Sequence, residues 1–165
     1  IGHEASIIHP KDSNWVITEV ELGIIIGKRA EKVSKEDAFD YIAGYTICND
    51  VVAFDISLLY GFLQHYRGDS YPTFAPIGPC LVLKDQILNP NDLDVTIRIN
   101  GVVRQRYNTS EALHTVPQIV SQISRVITLE TGDIISCGSY PGTFITMRSF
   151  ASPQMRWRFL AKSTN

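Results

Sequence analysis

Two glutamates, Glu19 and Glu21, stand at the entrance to an apolar run that ends at Gly27. Alternate side chains of a β-strand point to the same face, so the two carboxylates would lie about 7 Å apart on one face. Like charges at this spacing are unfavourable unless a cation or a shared proton compensates them, and paired carboxylates suit Mg²⁺, Mn²⁺ or Ca²⁺ better than zinc. The alternative is an edge strand with solvated glutamates, which is the more common setting for carboxylates.

The composition limits the classes of protein that the chain can represent. Its 165 residues are 44% hydrophobic, which is enough to bury a core within one domain. The formal net charge is −2, and acidic and basic residues are intermixed, so no basic patch for nucleic acid or anionic membranes is expected. The apolar runs are much shorter than the ~20 residues of a membrane span. We therefore expect a soluble, non-secreted protein with no nucleic-acid or membrane partner.

The three cysteines indicate the redox compartment. Cys48, Cys80 and Cys137 are odd in number, widely spaced and flanked by apolar residues. This pattern favours buried free thiols over disulfides or a zinc site. The expected compartment is the reducing cytoplasm, or the mitochondrion if the chain is a processed eukaryotic form.

The elements predicted after the first 15 residues would position the carboxylates. We predict a strand over 18–27 and a helix over 34–43, which begins with a capping-box pattern and ends before a glycine. A short strand over 45–48 would leave Asp50 in the loop that follows, a common place for a ligand-binding residue. A second helix is predicted over 58–66.

The second half of the chain is predicted to be mainly β. Asn-Gly between two alternating runs is the strongest short signal for a hairpin, and a threonine followed by proline and a periodic apolar stripe begins a helix. The predicted elements are strands at 81–83, 93–99, 102–107 and 134–137, a hairpin turn at Asn100-Gly101, and a helix from Thr115 to Ile127.

Several motifs share the order and spacing of one known family. They are the Glu-x-Glu strand at 19–28, the segments 40–46 and 74–79, Asn49-Asp50, Asn100-Gly101 with Arg104-Gln105, Asn108-Thr109-Ser110, and 129–133. Together they resemble the catalytic, C-terminal-type domain of the fumarylacetoacetate hydrolase (FAH) family. The resemblance implies a mainly-β, mixed α+β fold with sheets rolled around a central metal site, two or three short helices, and usually a homodimer. It divides the chain into a catalytic domain, 1–142, and a divergent C-terminal tail, 143–165.

The resemblance also implies a set of site residues. Glu19, Glu21 and Asp50 would bind one Mg²⁺ or Mn²⁺, with Ca²⁺ possible in crystals. Three carboxylates fill half of an octahedral shell and leave adjacent positions for the carboxylate and 2-oxo oxygens of a substrate. Thr109 would hydrogen-bond the substrate carboxylate. The implied activity is that of a hydrolase, a decarboxylase (lyase) or an isomerase of the kind used in aromatic catabolism. Its small-molecule substrate would be an acylpyruvate, oxaloacetate or 2-hydroxyhepta-2,4-diene-1,7-dioate.

Two positions depart from the family pattern. Asp69, in the predicted loop 67–73, stands where the family carries a lysine that contacts substrate, and Phe54 stands where a basic residue is expected. Replacing a cation by an anion turns attraction for an anionic substrate into repulsion. Arg67 is the nearby cation that would compensate, so Asp69 and Arg67 are the predicted catalytic residues.

The same departures leave an alternative function open. The chain would then be a metal-binding family member with lost or altered catalysis that serves as a binding or partner subunit. His65 and His114 are further candidates for proton transfer, although exposed histidines without such a role are common.

Overall fold

The computed structural model describes residues 1–59 and 64–140 and the backbone of 158–159. Within this part of the chain, strands outnumber α-helices, which confirms the mixed α+β class. The strands are β1 (Val16–Ile26), β2 (Ile42–Ala53), β3 (Ile77–Leu83), β4 (Asp94–Ile99), β5 (Val102–Asn108), β6 (Ile134–Ser136) and β7 (Arg158–Phe159). The α-helices are α1 (Phe54–Leu58), α2 (His65–Asp69) and α3 (Val116–Ser124), and short 3₁₀ helices occupy Ala38–Tyr41, Lys84–Gln86 and Thr109–Glu111.

The strands form two antiparallel sheets. The larger has the order β3-β2-β1-β6 and the smaller the order β5-β4-β7. In the larger sheet, β1 and β2 pair along nearly their whole length. Their register sets Glu19 opposite Asp50 and Glu21 opposite Cys48. Because directly paired residues project to the same side of a sheet, these four side chains share one face.

The opposite face of β1 is mostly apolar and packs into the core. The buried side chains of β1 on this face include the polar Thr18 and four aliphatic residues, Val16, Val20, Leu22 and Ile24. The first two of the aliphatic residues pack against the β4–β5 hairpin, and the last two pack against α3. The Tyr107 hydroxyl donates a hydrogen bond to the Val20 carbonyl oxygen at 2.8 Å and joins the two sheets. Each fully buried aliphatic side chain of this kind contributes about 1.5–3 kcal/mol, so this face anchors β1 firmly.

The hairpin and the last helix are found where the sequence predicts them. Asn100 and Gly101 both have positive φ, 52° and 80°, as a two-residue turn of the primed type requires. The Thr115 backbone N–H donates to Oε1 of Gln118 at 2.8 Å, a capping-box contact at the start of α3. The helix ends at Ser124, earlier than the predicted Ile127.

The helix predicted over 34–43 is wrong. Only Ala38–Tyr41 is helical, as a 3₁₀ turn, and β2 begins at Ile42. Ile42 already pairs with Ile26 of β1, so the backbone groups that a longer helix would use are taken by the sheet.

The extent of β2 corrects the placement of Asp50. The predicted strand 45–48 continues to Ala53, so Asp50 lies within a strand and not in a loop. The reason is the pairing of the buried Val51 and Val52 with β1, which keeps the chain extended past the Asn-Asp pair.

The helix predicted over 58–66 is not continuous. α1 ends at Leu58, Gln64 has a non-helical backbone, and α2 begins at His65, while 60–63 lie outside the described residues. Arg67 and Asp69 therefore belong to α2 and not to a loop.

All three cysteines are free thiols, as predicted, but only Cys48 is buried, whereas Cys137 is half-buried and Cys80 is exposed on β3. No helix among the described residues combines the length and the apolar character that a membrane crossing requires. Apart from the backbone of β7, which pairs with β4, the predicted tail 143–165 lies outside the described residues. The domain boundary at 142 therefore stays a prediction.

Candidate metal centre

Three carboxylates converge on the polar face of the larger sheet. Strand alternation puts Glu19 and Glu21 on that face of β1, and cross-strand pairing puts Asp50 of β2 opposite Glu19. Each residue offers one carboxylate oxygen, and these three atoms all lie within 4.8 Å of one another. The predicted metal-ligand set is thus brought together by two neighbouring strands, without any contribution from a loop.

Glu21 is held by the strand on the other side of β1. Gly23 of β1 pairs with Ser136 of β6, and this pairing brings the end of β6 beside Glu21. The Ser136 hydroxyl donates to Oε2 of Glu21 at 2.5 Å, and the Gly138 backbone N–H donates to the same oxygen at 2.8 Å. Both bonds end on Oε2, so the carboxylate is oriented while Oε1 receives neither of them. Hydrogen bonds of this kind orient the ligands of metal sites.

The electrostatics of the cluster disfavour negative charge. Burial raises the pKa of Glu21, which is 4% exposed. The hydrogen bonds from Ser136 and Gly138 oppose this rise, and the charges of Asp50 and Glu19 add to it. Burial also raises the pKa of Asp50, the charge of Glu19 raises it further, and His65 lowers it. A cation among the three carboxylates would compensate for both burial and mutual repulsion.

The donor set fits a hard divalent cation. All three groups are carboxylates, which Mg²⁺ and Mn²⁺ prefer over the sulfur and nitrogen ligands typical of structural zinc sites. Three protein oxygens on one face of a sheet would leave the other side of the ion open to a ligand. Glu19, Glu21 and Asp50 are thus suited to hold such an ion.

A fourth carboxylate, Asp69, lies near the cluster at the end of α2. A side chain at the preceding Gly68 would clash with Oγ of Ser57 and lie 2.9 Å from the Ala53 carbonyl oxygen, so α2 packs tightly against α1 and the end of β2. Burial raises the pKa of Asp69 to about 6; the charges of Asp50 and Glu19 also raise it, and His65 lowers it. Oδ1 of Asp69 is buried and has no hydrogen-bond donor among the described residues.

The other predicted catalytic residue, Arg67, is exposed on the same helix. It interacts electrostatically with the hydroxyl of Tyr71. Phe54, the other departure from the family pattern, packs its ring edge-on against Trp15 with centroids 4.7 Å apart.

Thr109, the predicted substrate-binding residue, is buried at the base of the β4–β5 hairpin. Its hydroxyl donates to the Pro90 carbonyl oxygen at 2.9 Å and accepts from the Leu93 backbone N–H at 2.8 Å. These bonds tie the hydroxyl to the turn before β4. Its role in binding substrate stays a prediction.

The sequence gives no sign of two groups that act on the cluster. Ser136 and Gly138 bond Glu21 from more than 100 residues away in the sequence, and no local pattern signals that pairing. His65 was one of two candidate histidines, and its charge acts on both Asp50 and Asp69.

The chain is similar to one protein-family model and to several known proteins. The sequence model described as fumarylacetoacetate (FAA) hydrolase, C-terminal, matches residues 1–160. The oxaloacetate tautomerase YisK of Bacillus subtilis is 39% identical, over 81% of this chain and 44% of that protein. The 5-carboxymethyl-2-hydroxymuconate delta-isomerase of Mycobacterium smegmatis superimposes with a TM-score of 0.80 at 39% identity, over 86% of this chain and 54% of that one.

A third relative was solved with ligands. Maleylpyruvate hydrolase from Sphingobium, in complex with manganese(II) and pyruvate, superimposes with a TM-score of 0.74 at 32% identity, over 86% of this chain and 50% of that one. The present chain spans about half the length of these three relatives. The shared architecture confirms the predicted FAH-like fold class.

Proposed function

The chain belongs to the fumarylacetoacetate hydrolase family, and from this membership we propose that it is a divalent-metal-dependent enzyme acting on a 2-oxo acid or its enol. The observation that carries the proposal is the convergence of Glu19, Glu21 and Asp50, whose ligand atoms lie within 4.8 Å of one another. Mg²⁺ or Mn²⁺ held there would supply a Lewis acid that stabilises negative charge developing on the substrate carbonyl.

The chain's own residues would orient and enclose the reacting groups. Ser136 and Gly138 fix one oxygen of Glu21, which keeps the other free to serve the ion. The tight packing at Gly68 holds Asp69 beside the same face, where its carboxyl can contact the part of the substrate remote from the ion. Asp69 is therefore proposed to contact substrate, whereas Arg67 would have to turn from its exposed position to do so.

The named relatives support the substrate class. They include an oxaloacetate tautomerase, a carboxymethyl-hydroxymuconate isomerase and a maleylpyruvate hydrolase solved with manganese(II) and pyruvate. Each of these substrates or ligands is a 2-oxo acid or an enol related to one. Hydrolysis, decarboxylation and isomerisation of such compounds all require negative charge to be stabilised next to the same carbonyl group. We propose oxaloacetate, an acylpyruvate or a hydroxydienedioate as the compounds to test first.

Metal binding is the first test of the proposal. Mg²⁺ or Mn²⁺ should raise the melting temperature, because an ion that binds only the folded state at 100 times its Kd stabilises it by about 2.7 kcal/mol. Glu21→Gln should abolish the rise. Glu36→Gln, which changes an exposed glutamate paired with Lys35 at 3.7 Å, should leave it intact. Equal melting curves with and without metal in the unmutated protein would contradict the metal centre.

Turnover separates the proposal from a second candidate, a metal-binding subunit without the usual activity. The observation that favours this candidate is the acidic Asp69 beside Asp50 and Glu19. The Mg²⁺-loaded protein should be assayed with oxaloacetate, acylpyruvates and hydroxydienedioates. Turnover of any of them that is lost in Glu21→Gln would exclude the binding-subunit candidate, and no turnover of all three would favour it.

We also propose that the protein is a homodimer. β3 is at the edge of its sheet and exposes apolar side chains there, with Leu81 45% and Leu83 55% exposed. Exposed apolar edges of this kind are commonly covered by a second subunit. Sedimentation velocity at micromolar concentration should show a dimer, and a monomer would contradict the proposal.

A further inference from the structure

The unusual feature of the centre is the position of Asp69, and it bears on the choice of substrate. We propose that Asp69 is a specificity-determining residue, favouring 2-oxo acids whose remote end is neutral and donates hydrogen bonds over 2-oxo diacids. The inference rests on the proposed function, since it concerns the substrate of that same site.

One carboxylate oxygen of Asp69 is a hydrogen-bond acceptor without a donor. Oδ1 of Asp69 is buried and receives no hydrogen bond from the described residues. Buried polar atoms are nearly always hydrogen-bonded in folded proteins, so a group outside this part of the chain is expected to supply the donor. Asp69 as a whole is only half-buried, so an amide or hydroxyl at the remote end of a substrate would reach its carboxylate and donate to it, whereas an ionised carboxylate has only acceptors.

Close packing of α2 sets the position of Asp69. Gly68 packs so closely against Ser57 of α1 and the Ala53 carbonyl oxygen that a side chain there would clash, so α2 is held against α1 and the end of β2. Asp69 is the next residue, and its carboxyl is close enough to Asp50 and Glu19 to feel both of their charges. It therefore lies near the ligands of the proposed ion.

The balance of charge at the centre also disfavours a diacid. With Asp69, the centre carries four carboxylates, and a divalent cation would offset only two of their negative charges. A 2-oxo monoacid would add one further negative charge, and a diacid would add a second one beside Asp69. Among the described residues, His65 is the basic side chain whose charge acts on both Asp50 and Asp69. Repulsion between like charges would thus weaken the binding of a diacid selectively.

Two stable chelators that differ only at the remote end provide the test. N-oxalylglycine ends in a carboxylate and N-oxalylglycinamide in a neutral amide, and both present the same carboxylate and 2-oxo oxygen. They should be titrated at about pH 8 into the Mn²⁺-loaded protein. Calorimetry would give the Kd, and the electron paramagnetic resonance spectrum of Mn²⁺ would report entry into its coordination shell. We expect the amide to bind about tenfold more tightly, which corresponds to about 1.4 kcal/mol.

Substitutions at Asp69 should progressively change the preference for the amide over the carboxylate. Asp69→Asn removes the charge and should bring the two Kd values to within about twofold, and Asp69→Lys should invert the order. Asp85→Lys changes the net charge of the protein by the same amount at an exposed position after β3 and should leave the tenfold preference unchanged. Asp69→Asn preserves the shape of the side chain, so it remains informative if the lysine variant does not fold.

The outcomes distinguish the inference from the proposed function. If both chelators perturb the Mn²⁺ spectrum but bind the unmutated protein equally, or if Asp69→Asn keeps the full preference, the inference is overturned and the metal centre stands. If neither chelator perturbs the spectrum, the proposed function is overturned and the inference falls with it. A preference for the amide that Asp69→Asn removes would support both.

Discussion

Two aspartates in the helical segment after β2, Asp55 and Asp69, lie in opposite electrostatic surroundings. Asp55, in α1, accepts hydrogen bonds from the Ser13 hydroxyl at 2.6 Å, the Asn14 N–H at 2.7 Å and the Ile56 N–H at 3.0 Å. Burial acts to raise the pKa of Asp55, but these bonds outweigh it and the pKa is lowered. Asp69, at the end of α2, has a buried oxygen without such a bond and a pKa raised to about 6 by burial and by Asp50 and Glu19.

The difference separates a structural carboxylate from a candidate functional one. The charge of Asp55 is stabilised by donors that the chain itself provides, so it fastens the segment before β1 to α1. The charges of Asp50, Glu21 and Asp69 are destabilised in the folded protein, because each pKa is raised. Groups whose pKa is shifted in this way often contact a ligand or substrate. A bound cation would stabilise the charges of Asp50, Glu21 and Asp69 and leave the surroundings of Asp55 unchanged.

The largest effect that tests this comparison is expected at Asp55. Asp55→Ala removes an acceptor from three donors and should lower the free energy of unfolding by about 1–3 kcal/mol, measured in urea. Saturating Mg²⁺ should not restore the loss, since Asp55 is not among the proposed ligand residues. Asp85→Ala, at an exposed carboxylate, is the matched control and should be close to neutral. If Asp55→Ala is as stable as the control, the hydrogen bonds do not have the structural role assigned to them.

Some features of the fold and of the candidate site are predictable from the sequence, and others are not. Alternation alone puts Glu19 and Glu21 on one face, and the resemblance to the family adds Asp50. The hairpin at Asn100-Gly101 follows from local turn chemistry. These features are predictable because residues close together in the sequence determine them, or because a motif marks them.

The predictions that fail concern features that depend on contacts between residues far apart in the sequence. The helix predicted over 34–43 is replaced by β2, whose start at Ile42 is fixed by pairing with β1. The hydrogen bonds of Ser136 to Glu21 and of Ser13 to Asp55 span 115 and 42 residues. No local propensity contains this information, so the roles of Glu21 and Asp55 become distinct only in the folded chain.

A smaller effect of opposite sign is expected at Asp50. In the metal-free protein, Asp50→Asn removes a negative charge directly opposite Glu19 and should raise the free energy of unfolding by up to about 1 kcal/mol. Asp94→Asn is the matched substitution in β4, where the carboxylate bonds Arg106 at 3.2 Å, and it should lower stability by up to about 1 kcal/mol. With Mg²⁺ present, Asp50→Asn should instead be less stable than the unmutated protein. A loss of stability without metal would mean that repulsion does not dominate at this pair.

The smallest expected effect is a difference in pH dependence between the two regions of the metal-free protein. The folded pKa of Asp69, about 6, exceeds its ordinary value of 3.8, so between these pH values the folded state holds a proton that the unfolded state has lost. Its contribution to stability is therefore fully present below pH 3.8 and is lost as the pH rises through about 6. The pKa of Asp55 is lowered, so its contribution is present above 3.8 and is lost as the pH falls through its folded pKa. Urea unfolding at several pH values should show a shallower decline above about pH 4 in Asp69→Asn, and a shallower loss on the acid side in Asp55→Asn. The same slope in Asp69→Asn as in the unmutated protein would place the titrating charge elsewhere.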